Sequence, residues 1–180
     1  MKDIELIPLA EEDLDIVREW RNSPEVSQYM YKDENITREQ QEKWFKKVQQ
    51  DESKKYWIIK YEGEELGVAN LTEIDKWNSK CYWGFYLGNT SIRGKGIGAK
   101  IEYNVLNYVF GELKLNKLCG EVFSFNEKVV QMHEKFGFRR EGYLRNHIQK
   151  NNRFHDIVVI GLLSSEWKQL KDSLKTKIYG

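Results

Sequence analysis

The sequence predicts a mixed α+β (α/β) domain built on a central, mostly antiparallel twisted sheet flanked by helices. Three observations carry that prediction. Amphipathic stripes at helical spacing occur near the start and in the middle of the chain. Three strand-like runs between residues 56 and 87 follow one another through short polar turns, as an antiparallel meander does. The run Ile157-Val158-Val159-Ile160-Gly161-Leu162-Leu163 is apolar on both faces, so it belongs inside a sheet and not at its rim. At 180 residues the chain has the length of one ordinary domain, residues 1–180, with a core of its own.

Taken in order, Ile4, Leu6 and Pro8 mark a first strand, and residues 11–22 a helix with Leu14, Val17 and Arg21 on one face. Ser23-Pro24 stops that helix, because a residue before proline is pushed out of the α region. Thr37 with Gln40 three residues later is a capping-box pattern, followed by a helix carrying Trp44, Phe45 and Val48 on one side. Residues 56–61, 66–74 and 81–87 form the meander, joined by Glu62-Gly63-Glu64 and by the polar stretch 75–80. A helix over about 96–113 follows, its stripe made by Ile97, Ile101, Val105 and Val109 and widened by Leu106, Phe110 and Leu113. Residues 118–125 read as a strand, and Asn126 caps a short helix that Gly137 ends. Residues 138–148 and 154–163 pair through the Lys150-Asn151-Asn152 turn, and a basic helix starts at Ser164-Ser165-Glu166-Trp167.

Composition narrows the function classes. Lys+Arg at 29 against Asp+Glu at 28 gives a net charge of +1 with no long basic block, which argues against nucleic acid as a partner. Cys81 and Cys119 sit in internal strands without CxxC or His-rich spacing, so no metal site is expected and both are read as reduced, buried and inert. The N-terminus lacks the apolar region of a signal peptide, and no apolar run reaches spanning length. A cytoplasmic protein away from the membrane is the expectation, and the sequence leaves a homodimer open.

The chemistry centres on Arg93-Gly94-Lys95-Gly96-Ile97-Gly98-Ala99 at the start of the middle helix. Glycines let several N–H groups converge on a diphosphate at a helix N-terminus, where the dipole also favours negative charge. A P-loop does not fit, since Gly96 stands where the Mg²⁺-binding Ser or Thr would be. Gly94-x-Gly96-x-x-Ala99 does satisfy the dinucleotide fingerprint, but residues 88–92 separate it from its strand, and that strand belongs to a meander instead of a βαβ unit.

Arg93-x-x-Gly96-x-Gly98 together with the element order resembles the GNAT superfamily of acetyltransferases. The resemblance covers nearly the whole chain. It implies acetyl-CoA as co-substrate, with the N–H groups of Gly94, Lys95, Gly96, Ile97, Gly98 and Ala99 on the pyrophosphate beside Arg93, and backbone at Phe85, Tyr86 and Leu87 along the pantetheine arm. Asn126 to Phe138 resembles the family's strand-Asn-helix segment ending in Lys-x-Gly-Phe, which adds Asn126 and Lys135 to the cofactor side. Where many members carry a Tyr that protonates the leaving thiolate, this chain has His133. Its place on a helix face with Val129 and Phe136 suits packing as well as catalysis. Glu73 and Glu121 are the carboxylates placed by sequence as general bases, and each is equally placed to be a surface charge.

The segment Trp20-Arg21-Asn22-Ser23-Pro24-Glu25-Val26, with Gln28-Tyr29-Met30, Trp83-Gly84-Phe85-Tyr86 and Met132-His133, is similar to the pseudaminic-acid branch of that superfamily, which N-acetylates a UDP-linked 4-amino-4,6-dideoxy sugar. On that reading Arg21 meets a nucleotide phosphate, Asn22 a sugar hydroxyl, and Tyr29 or Trp44 stacks on uracil. The other acceptors weighed are protein N-termini, as in ribosomal-protein acetyltransferases, and polyamines, for which the first helices offer no evident acidic cluster. A CoA-binding regulatory module without catalysis is the reading from a different class.

Overall fold

The computed structural model describes residues 3–32, 34–89 and 96–180. Among them, seven strands form one sheet in the order β1-β2-β3-β4-β5-β7-β6: β1 Ile4–Pro8, β2 Lys55–Tyr61, β3 Glu64–Asp75, β4 Lys80–Leu87, β5 Lys117–Phe123, β6 Arg139–Lys150 and β7 Arg153–Leu163. Every neighbouring pair is antiparallel except β4 and β5, which run parallel. The helices are α1 Leu14–Asn22, α2 Pro24–Ser27, α3 Arg38–Gln49, α4 Ile97–Asn107, α5 Glu127–Lys135 and α6 Ser164–Tyr179. The α+β class and the meander are as the sequence predicts; the apolar strand β7 is internal, but it lies beside the edge strand β6 and not at the centre of the sheet.

Side-chain alternation divides the sheet into two faces. Cys81 and Trp83 of β4 and Leu118 of β5 join Ile97, Ile101 and Val105 of α4, Val130 of α5 and Trp167 of α6 in the main core. Val17 and Trp20 of α1 cover Ile58 and Val68, with Tyr56 and Tyr86 at their margin, in a smaller core. Helix α1 and the last three helices therefore belong to different cores.

The parallel ladder is short. It holds only Lys80 opposite Lys117, Cys81 opposite Leu118 and Tyr82 opposite Cys119. Beyond those pairs β4 continues along β3 as far as Leu87, and β5 continues along β7 as far as Phe123, so the two inner strands part. Where they part, Trp83 faces Gly120: a Cβ at Gly120 would lie 3.7 Å from the indole Nε1.

Local departures from the predicted elements have local causes. Ser23-Pro24 ends α1 but also starts α2, because proline at the first helical position gives up an N–H that would be unpaired anyway. A 3₁₀ turn, Glu11–Asp13, precedes α1. The middle helix leaves α geometry at Tyr108–Glu112 for a π turn, in which Leu113 N–H reaches the Tyr108 carbonyl five residues back, around the flexible Gly111. Strand β5 stops at Phe123, since Ser124 N–H turns to the Asp156 carbonyl and Asn126 N–H to that of Phe123. The Thr37–Gln40 box forms as read, and Gly137 at φ +95 ends α5 in the left-handed conformation that glycine accepts.

Gly88 lets the buried Trp20 ring lie directly on the chain at the end of β4; a Cβ there would fall 2.0 Å from its Cγ. Gly88→Ala is therefore expected to destabilise the fold by about 2 kcal/mol through overpacking, read as a lower urea midpoint at unchanged slope. An unchanged midpoint would show that α1 can retreat.

Candidate active site

The parting of β4 and β5 leaves Trp83, Phe85, Tyr86 and Leu87 paired to β3 without a partner strand on the β5 side. Such an edge of N–H and C=O groups can accept an extended chain of amides. Gly96 at φ +71 precedes α4, and among the described residues no side chain caps that helix. The first-turn N–H groups of Ile97, Gly98 and Ala99 thus stand ready for an anion. Gly98 keeps this turn close to its neighbours: a Cβ there would sit 3.4 Å from Met132 Sδ and 3.9 Å from the Phe85 ring. Arg93, Gly94 and Lys95, the rest of the predicted turn, lie outside the described residues. Asn126 occupies the N-cap position of α5, but its side chain makes no capping bond, whereas Lys135 is the exposed last residue of that helix. An uncapped, glycine-led helix start beside a free strand edge fits a diphosphate followed by an amide-bearing arm.

His133 points into the core from α5. Its Nδ1 lies 2.8 Å from Oε1 of Glu102 on α4, and the two residues are 6% and 0% exposed. Trp83 meets the imidazole edge-on at 5.2 Å, and Phe138 lies 5.4 Å away. Oε2 of Glu102 has no hydrogen-bond partner among the described residues. Burial pushes the Glu102 carboxyl up from its ordinary range, and the hydrogen bond and charge of His133 only partly pull it back.

Next along β5 from Gly120, Glu121 points to the other face of the sheet. Its Oε2 accepts the Tyr31 hydroxyl at 2.6 Å. Burial first, then the bond and charge of Glu121, push the Tyr31 phenol up, so it remains a donor. Glu73, at φ +49 near the end of β3, lines a surface hollow with Glu52, Ser53, Lys76 and Lys80. Both carboxylates act on Tyr82 at the last rung of the parallel ladder: burial, then Cys119, Glu121 and Glu73, raise its pKa. Beyond Glu121, Phe123 and Phe125 stack at 4.8 Å, with His155 of β7 against both rings, Tyr31 edge-on to Phe123 at 5.3 Å and Tyr29 6.3 Å from Phe125. Phe125 is 52% exposed and Tyr29 42%. A half-open aromatic wall thus adjoins the Glu121–Tyr31 pair.

The predicted acceptor residues separate into two groups. Arg21 lies over the Tyr86 ring at 5.9 Å, beside β4, and Tyr29 joins the aromatic wall. Asn22 instead clamps backbone: its amide donates to the Ile36 carbonyl at 2.9 Å and accepts from the Ile36 N–H at 2.8 Å. Trp44 packs edge-on against Tyr56 at 4.9 Å. Sequence reasoning missed Glu102, Tyr31, Phe123, Phe125 and His155. A signal existed for Glu102, since a carboxylate one residue after Ile101 and three before Val105 interrupts the apolar stripe of α4. Phe123 ends β5 and Phe125 lies in the turn that follows, so strand alternation gave no signal for their stacking.

Cys81 and Cys119 are buried free thiols, and burial pushes Cys81 up to about 12, so neither is a thiolate nucleophile. Among the described residues no group of three His, Cys, Asp or Glu converges, and no helix is long and apolar enough to cross a membrane.

Comparison with known proteins matches residues 3–139 to the family described as acetyltransferase (GNAT) domain. The acetyltransferase PseH of Campylobacter jejuni subsp. jejuni serotype O:23/36 (strain 81-176) is 29% identical over 130 residues, 72% of this chain and 79% of that protein. The spermidine N(1)-acetyltransferase of Escherichia coli (strain K12) is 25% identical over 155 residues, 86% of this chain and 83% of that protein. The crystal structure of spermidine N-acetyltransferase from Vibrio cholerae in complex with CoA and spermine superposes with a TM-score of 0.87 at 22% identity, covering 92% of this chain and 98% of that one.

The buried pair sets a stability test. A carboxyl whose folded pKa is raised contributes stability at low pH and loses it as pH climbs through the folded value. His133→Phe removes the partner that pulls Glu102 down. The variant is expected to be less stable than the parent by about 3 kcal/mol near neutral pH and to recover as pH falls through the raised folded pKa of Glu102. Glu102→Met/His133→Phe should match or exceed the parent. Denaturant midpoints across pH check both, and a pH-independent loss in the single variant would contradict the assignment of the pair.

Proposed function

This chain belongs to the GNAT acetyltransferase family and uses acetyl-CoA, and we propose that it carries the acetyl group to the 4-amino group of a UDP-linked 4-amino-4,6-dideoxy sugar. The observation that carries the sugar reading is the aromatic wall of Tyr29, Phe123 and Phe125 beside Glu121, with Arg21 on the same side of β4. Such a wall offers ring faces to a pyrimidine, and Arg21 offers a fork to a diphosphate. The sequence likeness to the pseudaminic-acid branch and the similarity to PseH point the same way.

Bound along β4, acetyl-CoA supplies an acetyl group activated as a thioester. The N–H groups of Ile97, Gly98 and Ala99 hold its diphosphate, Asn126 turns its uncapped side chain to the same ligand, and Phe85, Tyr86 and Leu87 pair with its arm. Glu121 takes the proton that the acceptor amine must lose. Tyr31 occupies Oε2 of Glu121 and leaves Oε1 for the amine. As the new C–N bond forms and the C–S bond breaks, His133 gives a proton to the departing sulfur. Glu73, whose charge also reaches Tyr82, adds negative potential that favours a cationic acceptor.

A polyamine is the second reading, supported by the Escherichia coli relative and by the two carboxylates around Tyr82. With acetyl-CoA present, thiol release is expected to be at least about 100-fold faster per unit kcat/KM with the UDP-4-amino sugar than with spermidine or an N-terminal peptide. Faster turnover of spermidine would replace the sugar by a polyamine. Phe125→Ala is expected to raise the sugar KM about tenfold at nearly constant kcat. His133→Phe should lower kcat about 100-fold with CoA affinity unchanged; an unaltered kcat would make His133 a packing residue.

A further inference from the structure

We propose that Glu102 is the positioning residue for His133: it holds the Nδ1–H of the imidazole, so that Nε2 is the nitrogen presented to the sulfur of CoA. The inference rests on the reading above that His133 serves the leaving thiolate, and it adds a residue that touches neither substrate.

Packing alone does not account for the pair. A carboxylate at 0% exposure with one oxygen unpartnered costs desolvation that apolar side chains of the same volume would avoid. It sits in the apolar stripe of α4, where Ile101, Val105 and Leu106 are all in the core. A polar group that lowers stability at a buried position is the pattern of a residue retained for the site.

The geometry states what Glu102 does there. Trp83 and Phe138 pack edge-on and tilted against the imidazole but do not distinguish one ring nitrogen from the other. The 2.8 Å contact to Oε1 does, because the hydrogen bond at one nitrogen decides which nitrogen is left for chemistry. When the ring also carries a proton on Nε2, imidazolium and carboxylate make a neutral pair, so the charge is tolerated in a buried place. In the transfer, the Nε2–H bond breaks and an S–H bond forms on CoA. The Nδ1 proton stays against Glu102, solvent re-protonates Nε2, and Glu121 passes to solvent the proton it took from the acceptor amine. Helix α4 thus sets the proton donor from Glu102, one turn beyond Gly98 in the anion-binding turn.

Nitrogen-15 imidazole spectra of the whole chain test this without turnover. The sequence holds only three histidines, His133, His147 and His155, and His133→Phe assigns the first. The expected spectrum has the His133 proton on Nδ1. Added CoA shifts its Nε2 resonance, whereas desulfo-CoA, which has the same diphosphate and arm but no sulfur, leaves it in place. Glu102→Gln should then abolish the fixed Nδ1–H pattern and lower kcat at least about tenfold, with the KM for acetyl-CoA within about twofold. Nδ1 found unprotonated, or equal responses to CoA and desulfo-CoA, overturns the proposal even if Glu102→Gln fails to fold. Normal kcat in a folded Glu102→Gln overturns it as well. Failure of the parent to bind either nucleotide would instead overturn the placement of the cofactor, a distinct result.

Discussion

The ladder between β4 and β5 is the constraint on which the rest depends. Two adjacent parallel strands in the middle of a sheet would ordinarily pair along their full length, because an unpaired buried amide is costly. Here the pairing stops after Tyr82 and Cys119, and the strands stay apart only because each has another partner, β3 for one and β7 for the other. The antiparallel flanks therefore make an interior opening affordable. They hold two edges in place so that the hydrogen bonds missing inside the sheet are available to a substrate with a matching chain of amides.

The same opening explains why the two faces carry different chemistry. Period-two alternation puts Trp83 on the face of α4 and α5, against His133, and puts Glu121 on the opposite face, against Tyr31. The His133–Glu102 and Glu121–Tyr31 pairs are thus held on opposite sides of one layer and do not share a pocket. Burial raises the pKa of Glu102, and packed cores lie on both faces of the sheet.

Much of the fold was legible because it depends on local pattern: the capping box at Thr37, the terminator at Gly137 and the apolar run of β7 are each decided by neighbours in sequence. The family and its co-substrate were legible from a short turn together with element order. The short ladder itself was not, since residues 81–87 and 118–125 look like any two strands, and their separation depends on a tertiary balance. For the same reason Asn22 read as a ligand contact while the fold uses it as a clamp, and Tyr31 went unnoticed although it meets Glu121 from 90 residues away. Glu102 was hidden differently: its chemistry exists only in its pairing with a residue of another helix.

The Asn22 clamp has a consequence for how such a protein diversifies. By joining the end of α1 to the backbone at Ile36, it closes a segment containing Val26, Tyr29 and Tyr31 into a loop with its own stem. Insertions and exchanges at its exposed positions, away from the buried Val26, leave the register of the sheet untouched. The loop is in effect a replaceable cassette, so that what it presents beside Glu121 can change while the turn before α4 and the edge of β4 stay as they are.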